Sequence, residues 1–239
     1  MPFGLTNAPA TFQQLMNMVL REHIGKFVVV YIDDVTIYSN TFEEYLEHLR
    51  KTFDKIRAAD LKIQAGKCNF GKTSLLFLGY IIGKDGIRPD PSKVEKVKDF
   101  SISDNITTLR GFVGLASYYR RFVKDFAKIA APLHKLFRKN QVYEWTTKCQ
   151  VAFETLKQHL ISAPILTYPD FDKLFILFTD ASGLGLGAVL AQIGKDEKEH
   201  VVAYASRRVT PTESNYSATE LECLGVIWAV KLFRPYLHS

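Results

Sequence analysis

Two adjacent aspartates, Asp33 and Asp34, follow one β-rich run (residues 27–31, Phe-Val-Val-Val-Tyr) and precede another (residues 35–38, Val-Thr-Ile-Tyr). Such a break predicts a hairpin with carboxylates at its turn. The flanking segments narrow the choice. In residues 10–21, Phe12, Leu15, Met16, Val19 and Leu20 recur at helical spacing, and Pro9 sits at the start, where a missing N–H does no harm. In residues 42–58, Phe42, Tyr45, Leu46, Leu49, Phe53 and Ile56 form an apolar face opposite Glu43, Glu47, Arg50 and Lys51. Helix, hairpin, helix reads as a small sheet covered by helices.

Further along, residues 62–67 and 75–82 read as strands separated by a turn at residues 71–74. Gly83, Gly86, Pro89 and Pro91 punctuate the next stretch. Helices are expected over residues 91–100, 105–119, 125–137 and 145–160, and Pro164 and Pro169 bound a linker-like segment. The character then turns to β, with strands at residues 174–179, 188–192 and 199–206 and a helix over 217–233. The fold class is mixed α+β, divided as residues 1–88, 89–163 and 164–239. Three strands and one helix make a thin last domain.

The net charge is +6, which permits a nucleic acid partner without requiring one. Its distribution says more. Residues 110–140 hold Arg110, Arg120, Arg121, Lys124, Lys128, Lys135, Arg138 and Lys139 against the single acid Asp125. A local field of one sign suits phosphate contacts, although a solvated helical face has the same composition. Cys68, Cys149 and Cys223 are too scattered for a disulfide framework or a zinc pattern and fit a reducing compartment. The apolar run at residues 27–32 is too short to span a membrane, and no targeting signal is seen.

Paired carboxylates on a rigid hairpin suit phosphoryl transfer by two metal ions held roughly 3.5–4 Å apart. Asp33 is expected to reach both ions better than Asp34. Turn aspartates that bond only their own backbone are the ordinary alternative. A second pair is Asp180, closing a strand in Thr-Asp-Ala-Ser, and Glu220, on the helix after three strands. Ser217 and Glu220 also have capping-box spacing, which would give Glu220 a purely local role. Glu222 lies about 200° further round the helix and is expected to face solvent.

Taken together, these blocks resemble the Pol polyprotein of long-terminal-repeat retrotransposons of the gypsy/Ty3 group. Tyr31-Ile32-Asp33-Asp34 matches the tyrosine-x-aspartate-aspartate box of the polymerase palm, and Met-Pro-Phe-Gly-Leu-Thr-Asn-Ala-Pro at residues 1–9 matches the segment before it. Phe77-Leu78-Gly79-Tyr80 resembles the primer grip, which holds the primer's 3′ end. Residues 109–122, with Tyr118-Tyr119-Arg120-Arg121-Phe122, resemble the segment beyond the palm.

The resemblance implies a partial reverse-transcriptase palm, a helical thumb and connection, and part of an RNase H-like domain. Asp33, Asp34, Asp180 and Glu220 become metal-binding catalytic residues for Mg²⁺. Phe3, Gly4 and Tyr31 become the lining of the pocket for a deoxynucleoside triphosphate. Phe77, Leu78, Gly79, Tyr80, Arg120 and Arg121 become nucleic acid contacts. The implied activity is RNA-directed DNA synthesis with hydrolysis of the RNA strand of an RNA–DNA hybrid. The implied partners are primer with template, the hybrid, and other Pol domains such as protease and integrase. An intracellular location, in a cytoplasmic particle or the nucleus, follows by the same analogy. The family's palm has a further carboxylate upstream, and its RNase H has further aspartates downstream. Both metal sites are therefore expected to be incomplete here and the isolated chain inactive. The alternative is a truncated element that at most binds nucleic acid.

Overall fold

The computed structural model describes residues 6–101, 105–138 and 142–238. Phe3, Gly4 and Lys139 lie outside the described residues. Two compact units are present, Met1–Lys72 and Thr73–Ser239.

In the first unit, helix α1 (Ala8–Val19) starts with Pro9 in its first turn. Strands β1 (Val28–Tyr31) and β2 (Asp34–Ile37) pair antiparallel, from Val28 with Ile37 to Tyr31 with Asp34. Helix α2 (Phe42–Ala58) keeps the bounds read from its amphipathic pattern, because its start is well signalled. Thr41 caps it by accepting the Glu44 N–H, and Glu43 and Glu44 meet the positive end of its dipole. Met16, Leu20, Phe27, Val28 and Ile56 form the core of this unit. Fully burying Leu20 or Val28 contributes about 1.5–3 kcal/mol each. The strand expected at residues 62–67 is absent. Residues Ala65–Lys67 form a 3-10 turn and Ile63 stays exposed, since no neighbouring strand among the described residues offers a ladder.

The second unit opens with a meander, β3 (Ser74–Phe77), β4 (Tyr80–Gly83) and β5 (Gly86–Pro89). The single strand expected over residues 75–82 is therefore a hairpin, broken where Leu78 and Gly79 both adopt positive φ. Asp90 caps α3 (Pro91–Lys98), and Asn105 caps α4 (Ile106–Tyr118). Leu109, Phe112, Val113 and Ala116 of α4 recur at helical spacing and face the core. A 3-10 turn (Arg120–Phe122) follows.

The one helix expected over residues 125–137 is two short ones, α5 (Phe126–Ile129) and α6 (Ala131–Lys135). Pro132 in the first turn of α6 has no N–H to continue the ladder of α5. With α7 (Thr147–Ile161), these helices bury Phe112, Tyr119, Phe122, Leu133, Leu156 and Leu160.

The segment between Pro164 and Pro169 is bonded on both sides. Leu166 is fully buried and exchanges two backbone hydrogen bonds with Ile87, of 2.8 and 2.9 Å. Thr167 donates its N–H to the Val201 carbonyl at 2.8 Å, and the Tyr168 hydroxyl donates to the Gly83 carbonyl at 2.9 Å.

Strands β6 (Ile176–Ser182), β7 (Gly185–Ile193) and β8 (Glu199–Arg208) form an antiparallel sheet in that order. Helices α8 (Ala218–Leu232) and α9 (Arg234–Leu237) complete the unit. Leu190, Val202, Ala229 and Phe233 pack between the sheet and α8. No described helix is long and apolar enough to cross a membrane, and all three cysteines are free.

Candidate active-site residues and nucleic acid interface

The cross-strand pair Tyr31–Asp34 closes the β1–β2 hairpin, so its turn is Ile32-Asp33. Asp33 alone of the two aspartates lies in the turn, whereas Asp34 is the first residue of β2. Paired residues share a sheet face, so Asp34 and the half-exposed Tyr31 project together, while Val30 and Val35 pack toward the core. Both carboxylates are exposed. Ile32 has φ 52°, a costly conformation for a β-branched residue.

Gln13 of α1 holds this turn. Its Oε1 accepts the Ile32 N–H, and its Nε2 donates to Asn17 Oδ1 at 2.8 Å and to the Val30 carbonyl at 3.4 Å. No sequence motif singled Gln13 out. Its one signal is a polar residue beside the apolar stripe of α1.

Phe77 and Tyr80 pair across the second hairpin, around the turn Leu78-Gly79. Tyr118 and Tyr119 reach this turn from the end of α4. Arg120 is exposed, and Arg121 has a buried Nε with no hydrogen-bond partner. Arg110, Gly111 and Gly114 lie on the exposed side of α4, and a Cβ at either glycine would meet nothing within 4 Å. Glycine inside a helix costs about 0.5–1 kcal/mol relative to alanine, and packing within the chain does not require it at these two positions.

Asp180 pairs with Gly187, and Gly187 with Ser206, so the three share one face of the second sheet. The start of α5 covers that face. Ala127 donates its N–H to Ser206 Oγ at 2.9 Å, and Asp125 Oδ1 lies 2.8 Å from where a Cβ on Gly187 would be. Ala181 points the other way, toward α8, where a Cβ on Gly225 would lie 3.6 Å from its own.

On α8, Glu220 makes the capping box that its spacing allows. The Ser217 N–H and hydroxyl donate to Glu220 Oε2 at 2.8 and 2.9 Å, and these bonds hold the carboxyl below its ordinary range. Glu222 is one turn before Gly225. At about 100° per residue it flanks the sheet-facing stripe of Leu221, Gly225 and Ala229, whereas Glu220 lies on the far side. Among the described residues, no group of three or more His, Cys, Asp or Glu side chains could hold a metal ion.

Residues 1–82 match the family of reverse transcriptase (RNA-dependent DNA polymerase), and residues 145–239 match the RNase H-like domain found in reverse transcriptase. The chain is 45% identical over 239 residues to the retrovirus-related Pol polyprotein from transposon 297 of Drosophila melanogaster, a match spanning 99% of this chain and 22% of that protein. It is 39% identical to the Pol polyprotein from transposon opus of the same organism, covering 100% of this chain and 25% of that protein. It is 36% identical to the transposon Tf2-3 polyprotein of Schizosaccharomyces pombe, covering 100% of this chain and 18% of that protein. The chain thus spans a quarter or less of the length of these relatives.

Its fold matches the foamy viral protease-reverse transcriptase dRH solved in complex with double-stranded DNA, with TM-score 0.86 and 24% identity over 99% of this chain and 41% of that one. It also matches the foamy viral protease-reverse transcriptase solved with an RNA/DNA hybrid, with TM-score 0.84 and 24% identity over 99% of this chain and 32% of that one. By these matches the chain belongs to the reverse transcriptase family, as the reverse transcriptase and RNase H-like portion of a Ty3/gypsy-type retrotransposon Pol polyprotein.

Proposed function

We propose that this chain supplies metal-binding aspartates to RNA-directed DNA synthesis and part of an associated RNase H. The observation that carries the reading is the presentation of Asp33 and Asp34, exposed at a hairpin whose turn Gln13 holds, inside the segment that matches reverse transcriptase. Carboxylate oxygens are the hard donors that Mg²⁺ takes, so the two side chains fit that ion in donor chemistry. Bound Mg²⁺ would neutralise charge developing on the phosphoryl oxygens of a deoxynucleoside triphosphate. Asp33 would hold the ions from the turn. Asp34 would add charge from the face it shares with Tyr31, and Tyr31 would line the nucleotide pocket.

For RNA hydrolysis, Asp180 is one carboxylate. Glu222 is the better candidate than Glu220 for its partner, since Ser217 already occupies one oxygen of Glu220. Primer–template and RNA–DNA hybrid are the proposed partners, in line with the duplexes bound by the foamy viral enzymes. The turn between Phe77 and Tyr80 would meet the primer end. Arg110, Arg120 and Arg121 would meet phosphates, with strand approach eased by Gly111 and Gly114. Protease and integrase are the other Pol domains expected in the same polyprotein.

Primer extension on an RNA template, by a complete Pol polyprotein containing this chain, tests the reading. Asp33→Asn should lower the rate about 100-fold or more, the scale for removing one group that stabilises transition-state charge. Full activity of that variant would end the proposal for Asp33. In the same polyprotein, Asp180→Asn and Glu222→Gln should abolish RNA hydrolysis, and Glu220→Gln should spare it.

A second reading rests on the basic residues of 110–139, Arg110, Arg120 and Arg121 among them: the chain alone binds hybrids without chemistry. It predicts salt-sensitive hybrid binding by the 239-residue chain, unchanged by Asp33→Asn.

A further inference from the structure

Two consecutive tyrosines at the end of α4 send their hydroxyls to two consecutive carbonyls 40 residues away in sequence. The Tyr118 hydroxyl donates to the Leu78 carbonyl, and the Tyr119 hydroxyl donates to the Gly79 carbonyl at 2.8 Å. Leu78 and Gly79 are the whole turn between β3 and β4. We propose that Tyr118 and Tyr119 are positioning residues that fix the Leu78–Gly79 turn, and so the primer end it meets, relative to α4. The part concerning the primer rests on the polymerase reading above. The part concerning the turn does not.

The turn cannot hold this shape unaided. Leu78 has φ 47° and Gly79 φ 71°, the left-handed pair that a two-residue hairpin demands. Asn-Gly or Asp-Gly would adopt it readily, but leucine does not, so the surroundings must impose it. They do so from three sides. The Gly79 carbonyl accepts a second bond from the Asp90 N–H at 3.2 Å. The Tyr80 ring stacks on Tyr118 with centroids 5.4 Å apart and meets Tyr119 edge-on at 5.7 Å. The Tyr80 hydroxyl donates back to the Tyr118 carbonyl at 3.3 Å. A Cβ on Gly79 would lie 3.2 Å from the Tyr118 ring, so only glycine allows this approach together with its φ.

Ring packing alone would be served equally by phenylalanine. The hydroxyls are the specific feature, since each donates to one of the two turn carbonyls. Burial holds the Tyr119 phenol protonated, with its pKa pushed up to about 12.

The test removes the hydroxyls and nothing else, with Tyr118→Phe, Tyr119→Phe and the double variant. In the 239-residue chain, amide exchange at Tyr80 and Asp90, the amides bonded on either side of the turn, should speed up about tenfold for each hydroxyl lost, the scale of one net hydrogen bond, while exchange in α2 stays unchanged. Unchanged exchange at the turn would overturn the proposal. So would faster exchange spread equally over the whole chain, which marks general loosening. If Tyr119→Phe fails to fold, Tyr118→Phe carries the same comparison, because that ring is half exposed.

In a complete Pol polyprotein, the double variant should extend an annealed primer about tenfold more slowly or worse, with duplex affinity and nucleotide KM within about twofold of wild type. Asp33→Asn, run alongside, separates the two claims. If it leaves extension intact, the polymerase reading fails, and the exchange experiment still decides the turn. If it abolishes extension while the tyrosine variants extend normally, the positioning claim fails.

Discussion

The Gln13 side chain accepts the backbone N–H of Ile32, the residue that separates Tyr31 from the two aspartates. A helix side chain thereby holds a β-branched residue at φ 52°. Gln13→Ala should destabilise the chain by about 0.5–1.5 kcal/mol, the net worth of one hydrogen bond, since a partly buried donor loses its acceptor. Ile32→Gly should recover part of that loss, because glycine adopts positive φ without strain. Urea unfolding of the two single variants and the double variant forms the cycle. Strictly additive losses would mean that Gln13 does not act through the Ile32 backbone.

Acid should loosen the connection between β8 and α8. Arg207 grips Glu213 with two bonds of 2.7 and 2.9 Å, and the Thr210 N–H adds a third at 2.8 Å. The Arg207 bonds foremost, then the Thr210 N–H, pull the carboxyl from its ordinary 4.5 down to about 2. A folded-state pKa below the unfolded one gives stability that is present above the unfolded value and lost as pH falls. The melting temperature should therefore drop from about pH 4.5 toward pH 2. Glu213→Gln should flatten that part of the profile and lower the plateau at neutral pH.

Gly86 has φ 127°, and a Cβ there would lie 2.2 Å from the Leu166 carbonyl oxygen. Gly86→Ala should cost about 2–4 kcal/mol, since a backbone conformation and a backbone contact must both yield. Thermal denaturation gives the magnitude. Faster amide exchange at Ile87 and Leu166 would locate the damage.

Gly111→Ala and Gly114→Ala should act in opposite directions on stability and binding. Open space surrounds both positions, so each alanine should stabilise the helix by about 0.5–1 kcal/mol. Each should also weaken binding of an RNA–DNA hybrid, measured by fluorescence anisotropy at fixed salt. Tighter binding would remove α4 from the nucleic acid surface.

Helix α2 was legible to the residue, because a continuous amphipathic pattern and the Thr41 cap are both local signals. The break at Leu78 was not legible, since leucine is no turn former and the forces that bend it come from Tyr118 and Tyr119. The division of residues 125–137 into two helices could have been read from Pro132. The hairpin bearing Asp33 and Asp34 was visible in its β-rich runs. Which aspartate lies in the turn depends on pairing register, which the runs alone leave open by one residue. Gln13 was invisible, because a single glutamine acquires a role only from what the fold places opposite it.

The bonded strand of residues between Pro164 and Pro169 bears on length. Ile87 belongs to the meander after the grip-like turn, and Val201 belongs to the sheet that carries Asp180; Leu166 and Thr167 are hydrogen-bonded to one and the other. Were this stretch slack, the separation between the Leu78–Gly79 turn and the strand carrying Asp180 would be an average over many conformations. Because it is fastened on both sides, that separation is a dimension of the folded unit. The grip-like turn and the strand that carries Asp180 are thus two marks on one gauge, whose spacing is set by the chain rather than by diffusion of two tethered parts.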